Sequence, residues 1–269
     1  MPHDHSDDDH DLGFQHDLPR MLGRRRLLQL MSGLGIASVA GAPALALDCV
    51  ALPWETAGPF PADGSNRRSG TVINVLRQSG VIRRDVTASF GDYRGQVAGT
   101  ALTLELSLQD HPGCQPLQGA AIYIWHCDAD GAYSMYNVPE ANWLRGLGVA
   151  DAEGRVTFET IVPGCYPGRW PHIHFEVFES AEAAVSGAKP LLTSQLALPE
   201  GEIAAIYEAD RARYGASVRN LSRSPLSRDG IFRNNSAAEL AQQTIALSTA
   251  LSSGAADGLS GRCAIPIAL

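Results

Sequence analysis

The chain has 269 residues, 45% of them hydrophobic and 19% charged, which is apolar enough for a sizeable core and excludes a disordered polymer. A net charge of −8 excludes a nucleic-acid binder that works through a basic face. The length suits one large domain or two small ones, and 27 Gly and 16 Pro against 7% aromatics favour a turn-rich, mainly β fold.

Residues 1–46 read as a tail followed by an export signal. The tail, MPHDHSDDDHDLGFQHDLPR, carries His3, His5, His10 and His16 and is read as solvated chain discarded with the signal, rather than as a metal-binding tract. Arg24, Arg25 and Arg26 precede an apolar run from Leu27 to about Gly41, which ends in the A-x-A cleavage pattern Ala44-Leu45-Ala46. That run is shorter than the roughly twenty apolar residues of a membrane span, so no stable anchor is expected after cleavage. The arginines ahead of Leu27-Leu28 resemble a twin-arginine signal, which predicts export to the periplasm or beyond and a cofactor centre assembled beforehand. Four of the 21 basic and six of the 29 acidic residues leave with this segment, so 17 and 23 remain. Four histidines stay behind: His111, His126, His172 and His174.

The remaining chain, residues 47–269, reads as one domain. Residues 50–95, punctuated by Pro53, Gly58-Pro59, Pro61 and Asp63-Gly64, read as irregular. TALTLELSL alternates Leu102, Leu104 and Leu106 with polar positions, as a half-buried strand does. GAAIYIWHCDA (119–129), RVTFETIV (155–162), HIHFEVFE (172–179) and LLTSQLAL (191–198) read as further strands. GEIAAIYEADRARY (201–214) reads as a peripheral helix, residues 237–251 fit helix or strand, and GRCAIPIAL closes the sheet. Short strands at this spacing point to a β-sandwich. The five cysteines, Cys49, Cys114, Cys127, Cys165 and Cys263, include no C-x-x-C pair. Their odd number leaves at least one unpaired within the chain, and the pairing stays open.

The chemistry concentrates between residues 119 and 174. In a strand, His172 and His174 point to one face, so two imidazoles can reach one metal while Ile173 packs behind. Tyr166 lies in PGCYPGRWP, where Pro163, Gly164, Pro167, Gly168 and Pro171 stiffen the path into that strand. Tyr133 follows the Asp130-Gly131 turn. Asp128-Ala129-Asp130-Gly131 lacks the later ligands of a calcium loop and is read as a turn. His126 could be a third imidazole ligand, as in a zinc hydrolase that used it with His172 and His174. A metal-free exported β-sandwich binding module is the other alternative left open.

GAAIYIWHCDADGAYSMY followed by DAEGRVTFETIVPGCYPGRWPHIHF resembles the core of the intradiol ring-cleavage dioxygenases, over about 60 residues in order. ETAGPF (55–60) is similar to that family's upstream G-P-(Y/F) segment. The signal and the compact PGCYPGRWPHIH loop look most like exported single-domain members. The resemblance implies a non-haem Fe(III) held by Tyr133, Tyr166, His172 and His174, with His126 structural. Tyr166 would be the ligand displaced by substrate, Arg169 would stabilise charge developing on the ring, and Gln195 would be a polar pocket residue. It further implies a catechol-type substrate, dioxygen as co-substrate with both atoms entering the product, and a cis,cis-muconate as that product. Gly168 stands where several relatives carry a bulky aromatic, which leaves the ring substituents of the substrate open, as a homo-oligomer is left open.

Overall fold

The structure, a computed structural model, describes residues 49–249 and 258–269; the tail and signal read over residues 1–46 lie outside it. A short hairpin of β1 (Asp63–Arg68) and β2 (Thr71–Asn74) comes first. The leucine alternation then becomes β3 (Ala101–His111), with Leu102, Leu104, Leu106 and Leu108 buried and Ala101 and Thr103 exposed. The other strands are β4 (Ala121–Trp125), β5 (Arg145–Val149), β6 (Arg155–Ile161), β7 (His172–Phe178), β8 (Leu192–Ala197), β9 (Ala246–Thr249) and β10 (Leu259–Ala268). One four-stranded sheet has the order β6-β3-β10-β9 and the other β5-β4-β7-β8. The second is antiparallel throughout, whereas β10 runs parallel to β3. GRCAIPIAL does complete the first sheet, but from between β3 and β9 rather than at an edge.

The leucines of β3, with Phe158, Ile265 and Ile267, face Ile122, Ile124, Ile173, Phe175, Val177 and Leu196 of the second sheet across one apolar core. A second cluster covers the other side of that sheet, where Tyr123, Trp125 and Leu147 meet Ala62, Val75, Leu76, Val81, Tyr133 and Met135. Every residue of β4, β7 and β8 is therefore buried, on both faces. Burial of this kind removes the apolar–polar alternation of a half-wet strand and replaces it with continuous apolar runs, interrupted only where polar groups have partners.

Several sequence expectations need correction. Residues 50–95 are not wholly irregular, since they contain the β1–β2 hairpin and supply the roof over β4. Strand β5 carries no strand pattern in its sequence, RGLGV, because two of its five residues are glycines. The reading of 201–214 as one peripheral helix gives way to two helices, α2 (Glu200–Ala209) and α3 (Arg211–Leu221), after the short helix α1 (Ala181–Ser186). They lie at the periphery with one face buried, since Ile203, Tyr207, Tyr214 and Ser217 are buried, and Tyr207 stacks on Tyr214 with ring centroids 4.8 Å apart. The ambiguity over 237–251 arose because both answers hold in turn. Helix α4 (Ala237–Gln243), opened by a Ser236–Glu239 capping box, leads directly into β9. Among the described residues no helix is long and apolar enough to cross a membrane.

The glycines of β5 are there for space. A Cβ on Gly148 would lie 2.2 Å from Val156 Cγ1 and 2.9 Å from Phe158 Cζ, and one on Gly146 would lie 2.6 Å from Val86 Cγ1. Gly148→Ala is expected to destabilise the fold by about 1–3 kcal/mol through overpacking. Urea unfolding measures this, and an unchanged midpoint would show that the two sheets can yield at this point.

Candidate metal centre

The register of β7 places His172, His174 and Glu176 toward the roof, and Ile173, Phe175 and Val177 toward the core. Both histidines are buried. His172 Nδ1 lies 2.5 Å from the Trp170 carbonyl oxygen, which can only accept. The ring is therefore protonated at Nδ1 and keeps its lone pair at Nε2, the tautomer of a metal ligand. That Nε2 lies 3.1 Å from His174 Nε2 and 3.4 Å from the Tyr166 hydroxyl. The His174 ring lies flat on Trp125, with centroids 5.0 Å apart and planes 5° apart. On another side the backbone of Gly58 closes in, where a Cβ would stand 3.3 Å from His174 Cε1 and φ is +72°. Burial, with Arg169 adding, lowers His172 to about 3, and burial with His172 beside it lowers His174 well below the usual value. Both imidazoles are thus neutral donors at ordinary pH.

The two tyrosines arrive on loops. Tyr133 follows a turn in which the Asp128 carboxylate accepts the N–H groups of Asp130 and Ala132 at 3.0 and 2.8 Å, so DADG is a turn held by its own aspartate. Tyr133 N donates to Asn137 Oδ1 and Asn137 N donates back to the Tyr133 carbonyl, at 2.8 and 2.9 Å. Tyr166 opens a β-turn closed by Arg169 N on the Tyr166 carbonyl at 3.2 Å, with Pro167 next and Gly168 at φ +84°. Proline followed by a positive-φ glycine is the type II pattern. Tyr133 is fully buried, whereas Tyr166 is half-buried and its ring meets Tyr133 edge-on at 6.0 Å. Burial, with the Tyr166 phenol adding, pushes the Tyr133 hydroxyl well up, and burial also raises Tyr166 against the pull of Arg169. The Tyr133 hydroxyl makes no hydrogen bond of normal geometry, although the Tyr166 phenol is close by.

Arg169 is buried. Its Nε donates to Asp229 Oδ2 at 2.9 Å and its Nη2 to Gln195 Oε1 at 2.6 Å. Gln195 stands opposite His174 on β8 and donates to the Thr56 carbonyl at 2.9 Å, which ties the 54–60 loop to the site. His126 uses both ring nitrogens, at 2.8 Å from the Cys127 carbonyl and 2.8 Å from Thr160 Oγ1, and has none left for a metal. Two residues escaped the sequence reading. Asp229 sits in RDGIF, which reads only as a turn. Arg145 is fully buried and donates to Ser134 Oγ, the Ser134 carbonyl, the Pro61 carbonyl and Tyr123 Oη, bracing the Tyr133 loop against the roof.

The geometry brings Tyr133, Tyr166, His172 and His174 around one buried point, with Arg169 and Gln195 beside it. Among the described residues no three His, Cys, Asp or Glu side chains form a metal-binding group, so a cation held here would have to take the phenols. The donor set fits a hard, highly charged cation. It offers two neutral imidazoles, two phenols that ionise only beside strong positive charge, and one buried hydroxyl without a well-formed hydrogen bond.

The family model described as "Dioxygenase" matches residues 79–181, a span that includes all four of these side chains and Arg169. The chain is 27% identical over 146 residues to a catechol 1,2-dioxygenase of Pseudomonas sp. (strain EST1001), covering 52% of this chain and 46% of that one. It is 33% identical over 97 residues to the protocatechuate 3,4-dioxygenase beta chain of Burkholderia cepacia, covering 31% and 41%. It thus spans less than half the length of these two relatives. Among solved structures, an intradiol ring-cleavage dioxygenase from Tetranychus urticae is 26% identical, with a TM-score of 0.55 over 71% of this chain and 88% of that one. The chain is thus similar in fold to an intradiol ring-cleavage dioxygenase over most of its length, and one stretch of it matches the dioxygenase family model.

The buried titratable groups set a pH dependence for the metal-free protein. His126, held at about 4 by burial, His172 at about 3 and His174 all bind protons more weakly folded than unfolded. Below about pH 6.5 the unfolded chain therefore takes up protons that the folded one refuses, and stability falls with pH. Glu176, raised to about 8 by burial and Asp63, acts in the opposite sense, losing stability as pH rises toward 8. The expected result is a stability maximum near neutrality and a falling unfolding temperature from pH 6.5 to 4.5. A metal-free protein equally stable at pH 5 and 7 would show that these imidazoles are not neutral and buried together.

Proposed function

We propose that the chain is an exported intradiol ring-cleavage dioxygenase that uses non-haem Fe(III) to cleave a catechol between its two hydroxylated carbons. One observation carries the reading: two phenol oxygens and two imidazole nitrogens converge on a buried point beside a guanidinium. Tyr133, Tyr166, His172 and His174 would hold the iron, and two hard anionic phenolates favour ferric over ferrous. When bound, the iron supplies Lewis acidity and covalency to the catecholate, which opens the ring to attack by dioxygen.

The chain's own groups do the rest. Tyr166, half-buried on a turn, is the phenol placed to move aside, and its oxygen can take a substrate proton. Tyr133, fully buried and held by Asn137 at its backbone, stays in place. Arg169 is aimed by two acceptors and stabilises negative charge developing on the ring. The Gly58 loop, tied through Thr56 to Gln195, covers His174 and keeps water away from it. The product is a cis,cis-muconate containing both oxygen atoms.

Iron-loaded protein is expected to show a broad visible band from tyrosinate-to-iron charge transfer and to convert catechol to muconate. Tyr133→Phe and Tyr166→Phe should each shift or weaken the band, and Tyr166→Phe should lower turnover roughly a hundredfold or more. Colourless, folded, iron-loaded protein would overturn the two-phenol assignment, and an extradiol semialdehyde product would overturn the reaction.

Export is supported by the arginine triplet and by the Cys49–Cys114 disulfide, which suits an oxidising compartment; Cys127, Cys165 and Cys263 are free and buried. Replacing Arg24, Arg25 and Arg26 with Lys should hold the protein inside the cell, as followed by fractionation. Unchanged export would remove the twin-arginine route and leave the chemistry untouched.

A further inference from the structure

We infer that Asp229 is a positioning residue of the site, one carboxylate that fixes both the direction of the Arg169 guanidinium and the ring of His172. The functional half of this rests on the reading above; the geometric half does not. Asp229 is buried and accepts four hydrogen bonds. Oδ2 receives Arg169 Nε–H at 2.9 Å and Trp170 N–H at 2.7 Å. Oδ1 receives the N–H groups of Ile231 at 2.8 Å and Phe232 at 3.3 Å. The second pair locks the carboxylate to its own turn, and the first pair passes that rigidity to the loop before β7.

From Trp170 the path continues to the histidine. With its N–H held by Asp229 and its indole N–H by the Leu198 carbonyl at 2.8 Å, Trp170 presents its own carbonyl to His172 Nδ1. That contact selects the tautomer with its lone pair at Nε2. Ser224 braces the same turn from five residues upstream of Asp229, its hydroxyl accepting Gly168 N–H at 2.9 Å. The stretch from Ser224 to Phe232 thus holds three consecutive residues of the loop, Gly168, Arg169 and Trp170. It lies outside the segment that matches the dioxygenase family model. Stability is a poor reason for such a pair, because apolar groups of similar volume commonly replace a buried ion pair without loss.

Asp229→Asn preserves size and one carbonyl oxygen, but sets an amide donor against one of the two N–H pairs, Arg169 and Trp170 or Ile231 and Phe232. In metal-free wild-type protein, ring nitrogen shifts should report His172 protonated at Nδ1, and in D229N a mixture of tautomers. In the iron-loaded enzyme kcat should fall roughly ten- to a hundredfold, the usual effect of losing a group that orients a metal ligand, with KM changed less than about threefold. Arg169→Lys combined with D229N should be slower than R169K alone by less than the D229N loss, because part of what Asp229 does passes through that guanidinium and the rest through the His172 ring. Independent structural damage would instead multiply the two losses. If D229N does not fold, Asp229→Glu is read in the same way, its carboxylate displaced by one methylene. Wild-type tautomer and kcat in the folded variant would overturn the inference. A shifted tautomer in a protein that cleaves no catechol would overturn the proposed reaction while upholding the role of Asp229 in placing His172.

Discussion

His172 and His174 stand on the outer face of the β5-β4-β7-β8 sheet, the face that in an ordinary sandwich meets water. The inner face of the same strand is committed to the core through Ile173, Phe175 and Val177. A strand alternates strictly, so the two imidazoles cannot share the core without expelling those apolar groups to solvent. Placing neutral imidazoles in a dry site therefore requires a second cover, built over the outer face from elsewhere in the chain. The roof from residues 57–93, the loops around Tyr133 and Tyr166, and the turn at Asp229 all follow from that requirement.

Loops that cover a buried site bring buried backbone polar groups with them, and each must be satisfied. Helices α2 and α3 do much of this. Tyr207 and Tyr214 donate to the carbonyls of Pro163 and Val162, at 2.7 and 2.8 Å. Ser217 Oγ accepts Cys165 N–H at 2.9 Å and donates to the Ala129 carbonyl at 2.7 Å, so one hydroxyl joins the loop of Tyr166 to that of Tyr133. Gly164 permits the approach, since its Cβ would lie 2.3 Å from the Ala129 carbonyl oxygen. Each such bond contributes only about 1 kcal/mol net, but leaving one of these groups unpaired costs about 1–3 kcal/mol. The helices thus hold the spacing of the two phenols from behind, with no side chain of their own in the site.

What the sequence made legible tracks how local each signal is. The β3 leucines and the H-x-H of β7 announce themselves through period two within a few residues. The Tyr166–Arg169 turn is likewise local, because Pro167 and Gly168 dictate its type. β5 was hidden because its glycines answer a packing constraint from Val156, Phe158 and Val86, which no local pattern displays. The β1–β2 hairpin was hidden by its exposed, charged sequence and by a register shift between Asp63 and Arg67. Asp229 and Arg145 were hidden for a different reason: a charged residue in a turn and another in a short strand give no sign of burial. Their partners lie 60 residues away for Asp229 and up to 84 for Arg145.

The resulting site has a division of origin. The four candidate ligands and Arg169 lie in the segment that matches the dioxygenase family model, within residues 79–181. The groups that press on them come largely from outside it: Gly58 over His174, Gln195 and Asp229 on Arg169. Donor identity sets which cation the centre would favour, and the surrounding groups set what can reach it and how its charges are aimed. Gly168 has open space where a Cβ would be, but its positive φ already demands glycine, so the turn rather than pocket size accounts for the missing side chain. Width at that position is then a consequence of how Tyr166 is presented. The roof presses on the neighbouring phenol instead, where Phe60 packs against Tyr133 and Tyr136 at 4.9 and 5.0 Å.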